Sequence, residues 1–156
     1  MPHIRVTVSE PDSSGADSAG SSGPGLSAGA RSALARGLTG LAVSALRKSG
    51  ARTTVHITSV PAGGYFVDGR PLTGDRDAHV EVSITAGTNS AAEKADFIAR
   101  TDMLLTDLLG PLTRCGVALH ELHPESYGYH GIPQFDLYRR AEGAPAAEAP
   151  AADPVP

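Results

Sequence analysis

The sequence of 156 residues is poor in the residue types that mark several protein classes. It contains one cysteine, Cys115, so it can form neither an intrachain disulfide nor a thiolate metal site. It has no apolar run long enough to span a bilayer and no apolar segment at its N-terminus, which predicts a soluble, cytoplasmic protein with no membrane partner. Basic residues are also few, because 13 Lys and Arg stand against 17 Asp and Glu. Without a basic excess the chain cannot neutralise a run of phosphates, so we predict that it does not bind nucleic acid.

Small and polar residues are concentrated in two stretches. Residues 11–25 read PDSSGADSAGSSGPG, a composition typical of a flexible loop. Residues 141–156 read AEGAPAAEAPAADPVP and predict a disordered tail. We therefore expect a single domain over residues 1–140, with residues 11–25 as a loop insertion.

The rest of the chain contains a repeat. HIRVTVSE (3–10) and HVEVSITA (79–86) both begin with His and then alternate apolar and polar residues, which predicts two strands with one buried face each. A stripe of leucines over residues 26–46 predicts a helix after the first strand. A second helix follows the other strand, opened by a capping box at Ser90 and Glu93 and ended by Gly110. Its predicted buried face consists of Phe97, Ile98, Thr101, Leu104, Leu105, Leu108 and Leu109.

A further strand closes each half of the repeat, TVHITSV (54–60) in the first and GVALHEL (116–122) in the second. Each is followed by a turn rich in glycine and aromatic residues, PAGGYFVDG (61–69) and PESYGYHG (124–131). This order predicts an α/β (α+β) fold in which two fused β-α-β units form a four-stranded sheet with two helices on one face. The opposite face of the sheet is polar and uncovered, and we expect self-association to cover it.

The proline after the initiator methionine, the repeat and the two turns together carry a family likeness. The sequence resembles the tautomerase superfamily, in the 4-oxalocrotonate tautomerase-like form that fuses two β-α-β units in one chain. VPAGGYFVDG resembles the family's hairpin after the second strand, with Tyr65 at the aromatic position that walls the site. ESYGYHG resembles the corresponding turn of second halves and places Tyr127 there. If the turns are shifted by one residue, Phe66 and Tyr129 take these places.

The resemblance implies a homotrimer with sites at subunit boundaries. It also implies a cofactor-free reaction on a small-molecule substrate, with the N-terminal proline, Pro2, as the general base or acid. Removal of Met1 would make Pro2 a secondary amine; an α-amino group titrates near about 7.7–8.0, and apolar surroundings lower this value. A neutral amine can take a proton from carbon beside a carbonyl and return it elsewhere. If Met1 is retained, the nitrogen is an amide, and Pro2 is only a residue that strands tolerate at their first position.

The sequence departs from the family at the arginines that bind anionic substrates. The arginine that commonly follows the first strand is Asp12 here, and the one that opens the second strand is Thr54. The paired arginines that dehalogenase-like members carry after the third strand are Ala86 and Asn89. Hydrolytic dehalogenation and malonate-semialdehyde decarboxylation are therefore poor candidates for its activity.

Two arginines remain as candidates for holding a carboxylate, Arg70 just after the Tyr65 turn and Arg52 just before the second strand. Arginine suits this task because its guanidinium can donate two parallel hydrogen bonds. No metal site is predicted: His120 and His123 are three residues apart on a strand, which directs their rings to opposite faces.

Three functions are consistent with these features. The first is a cofactor-free tautomerase (isomerase) that acts on a small enolisable, keto acid-like compound, with Pro2 moving the proton. The second is a catalytically degenerate oligomer of the same fold that serves as a binding or assembly module. The third is an enzyme for a less charged substrate, which would explain the missing arginines.

Overall fold

The computed structural model describes residues 2–10, 25–74 and 76–141. By its internal contacts the chain divides into two compact units, Met1–Glu121 and Leu122–Pro156. The loop predicted over residues 11–25 and the tail predicted over 141–156 lie, apart from Gly25 and Ala141, outside the described residues. The single domain over residues 1–140 stays a prediction.

Two β-α-β units make up most of the described chain. The first consists of β1 (His3–Ser9), α1 (Ala28–Ser44) and β2 (Thr54–Val60), followed by a hairpin of β3 (Phe66–Val67) and β4 (Arg70–Pro71). The second consists of β5 (Arg76–Thr85), α2 (Ala91–Leu109) and β6 (Leu112–Leu122). Single turns of 3-10 helix lie at Gly50–Arg52 and Ala62–Gly64. The C-terminal unit contains a second small hairpin, β7 (Gly128–Tyr129) with β8 (Ile132–Pro133), and the helix α3 (Gln134–Ala141). The sequence patterns did not predict α3.

The four long strands form one sheet in the order β2-β1-β5-β6. β1 and β2 are parallel, with His3 opposite Thr54, as a β-α-β crossover requires. β1 and β5 are antiparallel, with His3 opposite Ser83 and Thr7 opposite His79, and this pair joins the two halves. The predicted fold is confirmed, and the two halves start at opposite ends of the sheet.

Both long helices begin at side-chain caps. The Ser27 hydroxyl accepts a hydrogen bond from the Ala30 N–H (3.1 Å) at the start of α1. At α2 the predicted capping box is present, since the Glu93 N–H donates to the Ser90 hydroxyl (3.2 Å) and the Ser90 N–H donates to the Glu93 carboxylate (2.8 Å). Such caps satisfy N–H groups that have no partner inside the helix. Among the helices of the described residues, none has the length and apolar character that crossing a bilayer requires.

The hydrophobic core lies between the sheet and the two helices. The predicted alternation along β1 and β5 is confirmed, and the buried members of both strands are Ile4, Val6, Val8, Val80, Val82 and Ile84. For α2 the predicted buried face was too wide, because Ile98 is 41% exposed and Leu108 is 38% exposed. The fully buried residues Phe97, Thr101 and Leu105 recur every fourth position. Ile98 follows Phe97 by one position and Leu108 precedes the buried Leu109 by one, and a step of one position rotates a side chain by roughly 100° away from this stripe.

The strands of the second half begin earlier than predicted. β5 begins at Arg76 rather than at His79, and β6 begins at Leu112 rather than at Gly116. The added residues of β5 are polar, and Asp77 is 4% exposed. The Ser9 hydroxyl accepts a hydrogen bond from its backbone N–H (2.7 Å). This local partner allows a polar residue to extend a strand that the hydrophobic alternation does not reveal.

Candidate active site

Pro2 is buried and lies directly before β1. Its carbonyl oxygen accepts a hydrogen bond from the Thr54 N–H (3.1 Å), so the start of β1 is fixed against the start of β2. The missing N–H of a proline costs no ladder hydrogen bond at this first position. Met1, whose removal would free the Pro2 nitrogen, lies outside the described residues.

Arg52 lies at the same end of the sheet as Pro2. It ends the 3-10 turn Gly50–Arg52, two residues before Thr54, and its side chain is exposed. Its N–H donates to the Ser49 carbonyl (3.1 Å), which fixes the turn that carries it. Among the sequence-predicted substrate-binding residues of the first unit, Arg52 shares the end of the sheet with Pro2.

Tyr65 and Arg70 lie at the other end. β1 and β2 run together until Ser9 is opposite Val60, and the hairpin that holds Tyr65 and Arg70 follows. The Leu72 N–H donates to the Tyr65 carbonyl (2.8 Å) and closes the hairpin, whose tip is Asp68-Gly69 with both φ angles positive (53° and 70°). A seven-residue strand is roughly 20 Å long. Within one chain, the structure therefore does not bring Tyr65 or Arg70 to Pro2.

A cleft of about 500 Å³ lies beside Tyr65, between the hairpin and the starts of β5 and β6. Three polar side chains that the sequence reasoning missed line it: Asp77, His79 and Arg114. The Arg114 Nε lies 3.4 Å from a carboxylate oxygen of Asp77, and the Asp77 side chain is 6% exposed. Burial and the neighbouring Asp77 carboxylate raise the pKa of the Tyr65 phenol, so this group stays protonated at neutral pH.

A glycine makes room for one of these side chains. A Cβ on Gly116 would lie 2.6 Å from the His79 Nδ1, so the imidazole can hold this position because residue 116 has no side chain. The sequence contained one signal for the cleft. Arg114 lies two residues before Gly116, which packs on His79. In the first half, Arg52 lies two residues before Thr54, which pairs with His3. The two arginines therefore hold matching positions in the repeat.

The predicted polar face of the sheet holds a smaller cavity of about 230 Å³. Its lining consists of His3, Arg5, Glu81, Ser83 and His120. The His120 Nε2 lies 3.4 Å from a Glu81 carboxylate oxygen. Within the described ranges the buried His3 Nε2 has no hydrogen-bond partner. Across those same ranges, no three His, Cys, Asp or Glu side chains are grouped so that they could hold a metal ion.

Tyr127 belongs to the C-terminal unit. Its ring meets Tyr129 edge to face, with centroids 6.1 Å apart, and its carbonyl accepts from the Gln134 N–H (2.9 Å). Burial and the neighbouring Tyr127 raise the pKa of Tyr129. A cavity of about 350 Å³ lies in this hairpin, lined by Tyr127 together with Gly128 and Gly131.

No protein-family model and no curated protein matches the sequence. Solved structures do match. F6 fused 4-OT, solved as a wild-type asymmetric trimer, superimposes with a TM-score of 0.69 at 19% identity, over 85% of this chain and 98% of that one. Pt0534, solved after inactivation by 2-oxo-3-pentynoate, gives 0.67 at 20% identity, over 85% and 98%. N1, a member of the cis-3-chloroacrylic acid dehalogenase family, gives 0.66 at 19% identity, over 89% of both chains.

All three proteins belong to the tautomerase superfamily. The chain has the tautomerase fold, in its fused, doubled form. This confirms the resemblance that was inferred from Pro2, the repeat and the two turns. At 19–20% identity the likeness establishes the fold, and activity and substrate are a separate question.

Within this tautomerase fold, the positions that lack the family's arginines have other roles. Asn89 is 8% exposed, and its amide donates to the Leu46 carbonyl (2.9 Å), which ties the start of α2 to the chain after α1. Thr54 begins β2 and holds the Pro2 carbonyl through its backbone. Asp12 lies outside the described residues.

Proposed function

We propose that the protein is a cofactor-free tautomerase that acts on a small enolisable carbonyl compound of the keto acid type. The observation that carries this proposal is the placement of Pro2, buried at the start of β1 in a chain with the tautomerase fold. A secondary amine at that position, once Met1 is removed, loses hydration, which favours its neutral form. The neutral nitrogen is the form that can accept a proton.

The reaction is a proton relocation. The Pro2 nitrogen takes a proton from the donor position of the conjugated system, the C–H or O–H electron pair moves into that system, and the resulting ammonium returns the proton to the other position. No oxidant, reductant or cofactor is needed, because no net electron transfer takes place. The protein must hold the developing negative charge on the carbonyl oxygen and must fix the carboxylate of the substrate.

Arg52 is the proposed carboxylate-binding residue at the Pro2 end of the sheet. Its exposed guanidinium stands on a short, hydrogen-bonded turn next to the start of β2. Tyr65 and Arg70 can serve the same reaction only if a second copy of the chain presents its hairpin to Pro2. The trimeric state of F6 fused 4-OT supports such an arrangement, and we propose a homotrimer in which Tyr65 and Arg70 of one copy complete the Pro2 site of another. Tyr127, in the C-terminal unit, stays a sequence-based candidate for substrate binding.

The test begins with the intact mass of the protein, which shows whether Met1 is absent. Ketonisation of phenylenolpyruvate and of 2-hydroxymuconate is then measured for the native protein and for Pro2→Ala. We expect Pro2→Ala to lose about 100-fold or more in kcat/KM, the usual share of a general base. Pro111→Ala, at an exposed proline after α2, is the matched control and should keep full activity.

A covalent probe gives an independent readout. Because Pt0534 is inactivated by 2-oxo-3-pentynoate, this electrophilic alkynyl ketone is a suitable reagent. Addition of the Pro2 nitrogen to its triple bond would increase the mass of the N-terminal peptide by one reagent molecule, and Pro2→Ala would show slower loss of activity or none. Retained Met1, or unchanged turnover in Pro2→Ala, would refute the role of Pro2.

The second candidate is a tautomerase-fold oligomer without catalysis, acting as a binding or assembly module. The structural role of Asn89 favours it, since a position that carries an arginine in dehalogenase-like members is here used to hold the fold together. A native protein that lacks Met1, is trimeric and yet turns over neither substrate would support this candidate over the first.

A further inference from the structure

The cleft between the first hairpin and the starts of β5 and β6 combines a cation with an exposed aromatic wall. We propose that it is a second binding site, which takes a small carboxylate with an aromatic tail. The proposal does not require Pro2 to act as a base. It shares Tyr65 with the trimer proposed above, but it depends on Arg114 and Phe66, which that arrangement does not use.

The position of the cleft follows from the repeat. His79 corresponds to His3 in the two strand sequences, so Ala78 corresponds to Pro2. Ala78 is 3% exposed and lines the cleft. Its nitrogen is an amide within the chain and cannot act as a base. The cleft is therefore the second half's counterpart of the Pro2 position, with space for a ligand but without the amine.

Arg114 supplies the carboxylate contact. Its side chain is 56% exposed, and its Nε faces the buried carboxylate of Asp77 at 3.4 Å. A guanidinium has five N–H donors, of which a contact at Nε uses only part. Among the described residues Asp77 is the ion-pair partner of Arg114, and the Tyr65 phenol lies close enough to feel its charge. Because more than half of the Arg114 side chain is exposed, N–H donors remain available to a ligand. Asp77 positions the guanidinium, because Ser9 fixes the Asp77 backbone in both directions.

Asp77 also limits the charge of the ligand. Its carboxylate offsets part of the Arg114 charge, and the exposed Asp68 at the hairpin tip adds a further negative group to the lining. A singly charged anion suits this balance better than a dianion. The protonated Tyr65 phenol and the His79 imidazole add further hydrogen-bonding groups to the same cleft.

Phe66 supplies the apolar contact. Its residue surface is 56% exposed, although a phenyl ring usually contributes most when it is buried. It lines the same cleft as Arg114 and His79. A flat aromatic tail laid on this ring would leave its carboxylate near the guanidinium.

The test is a titration of the native protein with phenylacetate, followed by amide chemical shifts in ¹⁵N-labelled protein and by calorimetry. Acetate lacks the ring and phenylacetamide lacks the charge. We expect saturable phenylacetate binding with shifts at Tyr65, Ala78 and Gly116, and affinities at least about tenfold weaker for the two partial probes.

Variants separate the two contacts. Arg114→Gln should weaken phenylacetate binding at least about tenfold, whereas Arg100→Gln, at a surface arginine paired with Asp96, should change it by less than about twofold. Because Arg114→Gln leaves the Asp77 charge uncompensated, Phe66→Ala at an exposed position provides a variant that does not endanger the fold. It should weaken phenylacetate binding while leaving acetate binding unchanged.

Pro2→Ala keeps this proposal distinguishable from the proposed catalysis. We expect Pro2→Ala to bind phenylacetate as the native protein does, whether or not the native protein shows tautomerase activity. The proposal is overturned by absence of saturable binding, by equal losses in Arg114→Gln and Arg100→Gln, or by loss of binding in Pro2→Ala.

Discussion

Ser9 and Asp77 are joined by two hydrogen bonds at the junction of the two halves of the chain. The Ser9 hydroxyl accepts from the Asp77 N–H at 2.7 Å and donates to the Asp77 carbonyl at 3.3 Å, and Ser9 is 0% exposed. This reciprocal pair sits where β1 ends and β5 begins. It fixes both the pairing of the halves and the residue that positions Arg114.

Replacing Ser9 by Ala should therefore lower stability. The change removes both hydrogen bonds and leaves the Asp77 N–H buried without a partner, a loss of about 1–3 kcal/mol in the free energy of unfolding. Urea denaturation measures it. Ser32→Ala, on the exposed side of α1, is the control and should be neutral or slightly stabilising. Equal unfolding midpoints for the two variants would contradict the role given to this pair.

Two glycines of α1 should respond in opposite ways to alanine. A Cβ at Gly40 meets no atom within 4 Å, so Gly40→Ala should raise the free energy of unfolding by about 0.5–1 kcal/mol through helix propensity. A Cβ at Gly37 would lie 2.7 Å from both terminal carbons of Leu104 on α2. Gly37→Ala should be less stable than Gly40→Ala by about 1 kcal/mol, because the Leu104 side chain must leave its position or the helices must move apart. Thermal or urea unfolding of both variants tests this close approach.

Stability should fall in acid through two carboxylates of the first unit. A hydrogen bond from Lys94 and one from the Gly87 N–H lower the pKa of Glu121, and the Ser90 N–H lowers the pKa of Glu93. Since each pKa is lower in the folded state than in the unfolded chain, the stabilisation is present above the unfolded value and is lost as the pH falls through the folded one. Unfolding midpoints measured from about pH 6 down to about pH 3 should decline. The double variant Glu93→Gln/Glu121→Gln should decline less, and an identical slope would refute the assignment.

Arg52 should affect substrate binding more than proton transfer. If Arg52 holds the substrate carboxylate at the Pro2 end, Arg52→Gln should raise KM about tenfold or more and change kcat less, since the contact exists in both ground and transition states. Steady-state kinetics with phenylenolpyruvate measures the split. Arg100→Gln is the matched surface control. A KM equal to that of the control would remove Arg52 from the site.

The fold could be predicted because its signals are local. Ile4, Val6 and Val8 alternate with polar residues, and Ser90 and Glu93 mark a helix start within one turn of chain. The cleft could not be predicted in this way. Asp77 and Arg114 lie in polar strand starts that interrupt the hydrophobic pattern, and they meet only through the sheet.

The predicted substrate-binding residues of the first unit lie at different ends of the sheet for a related reason. The family likeness groups Tyr65 with Pro2, whereas strand register places them at opposite ends of β1 in a single chain. A sequence pattern shows which residues share a strand face. It does not show which strand ends lie close together, and it does not show which residues of different copies of the chain come into contact.

The antiparallel pairing of β1 with β5 has a consequence for the chemistry of a doubled chain. The two repeats start at opposite ends of one sheet, and a polypeptide has a single amino terminus. One repeat can therefore present an ionisable backbone nitrogen, while the nitrogen of Ala78 is joined to Asp77 by a peptide bond that no substitution removes. In a doubled chain only the β1 end can carry a free amine, and any chemistry at the β5 end depends on side chains alone.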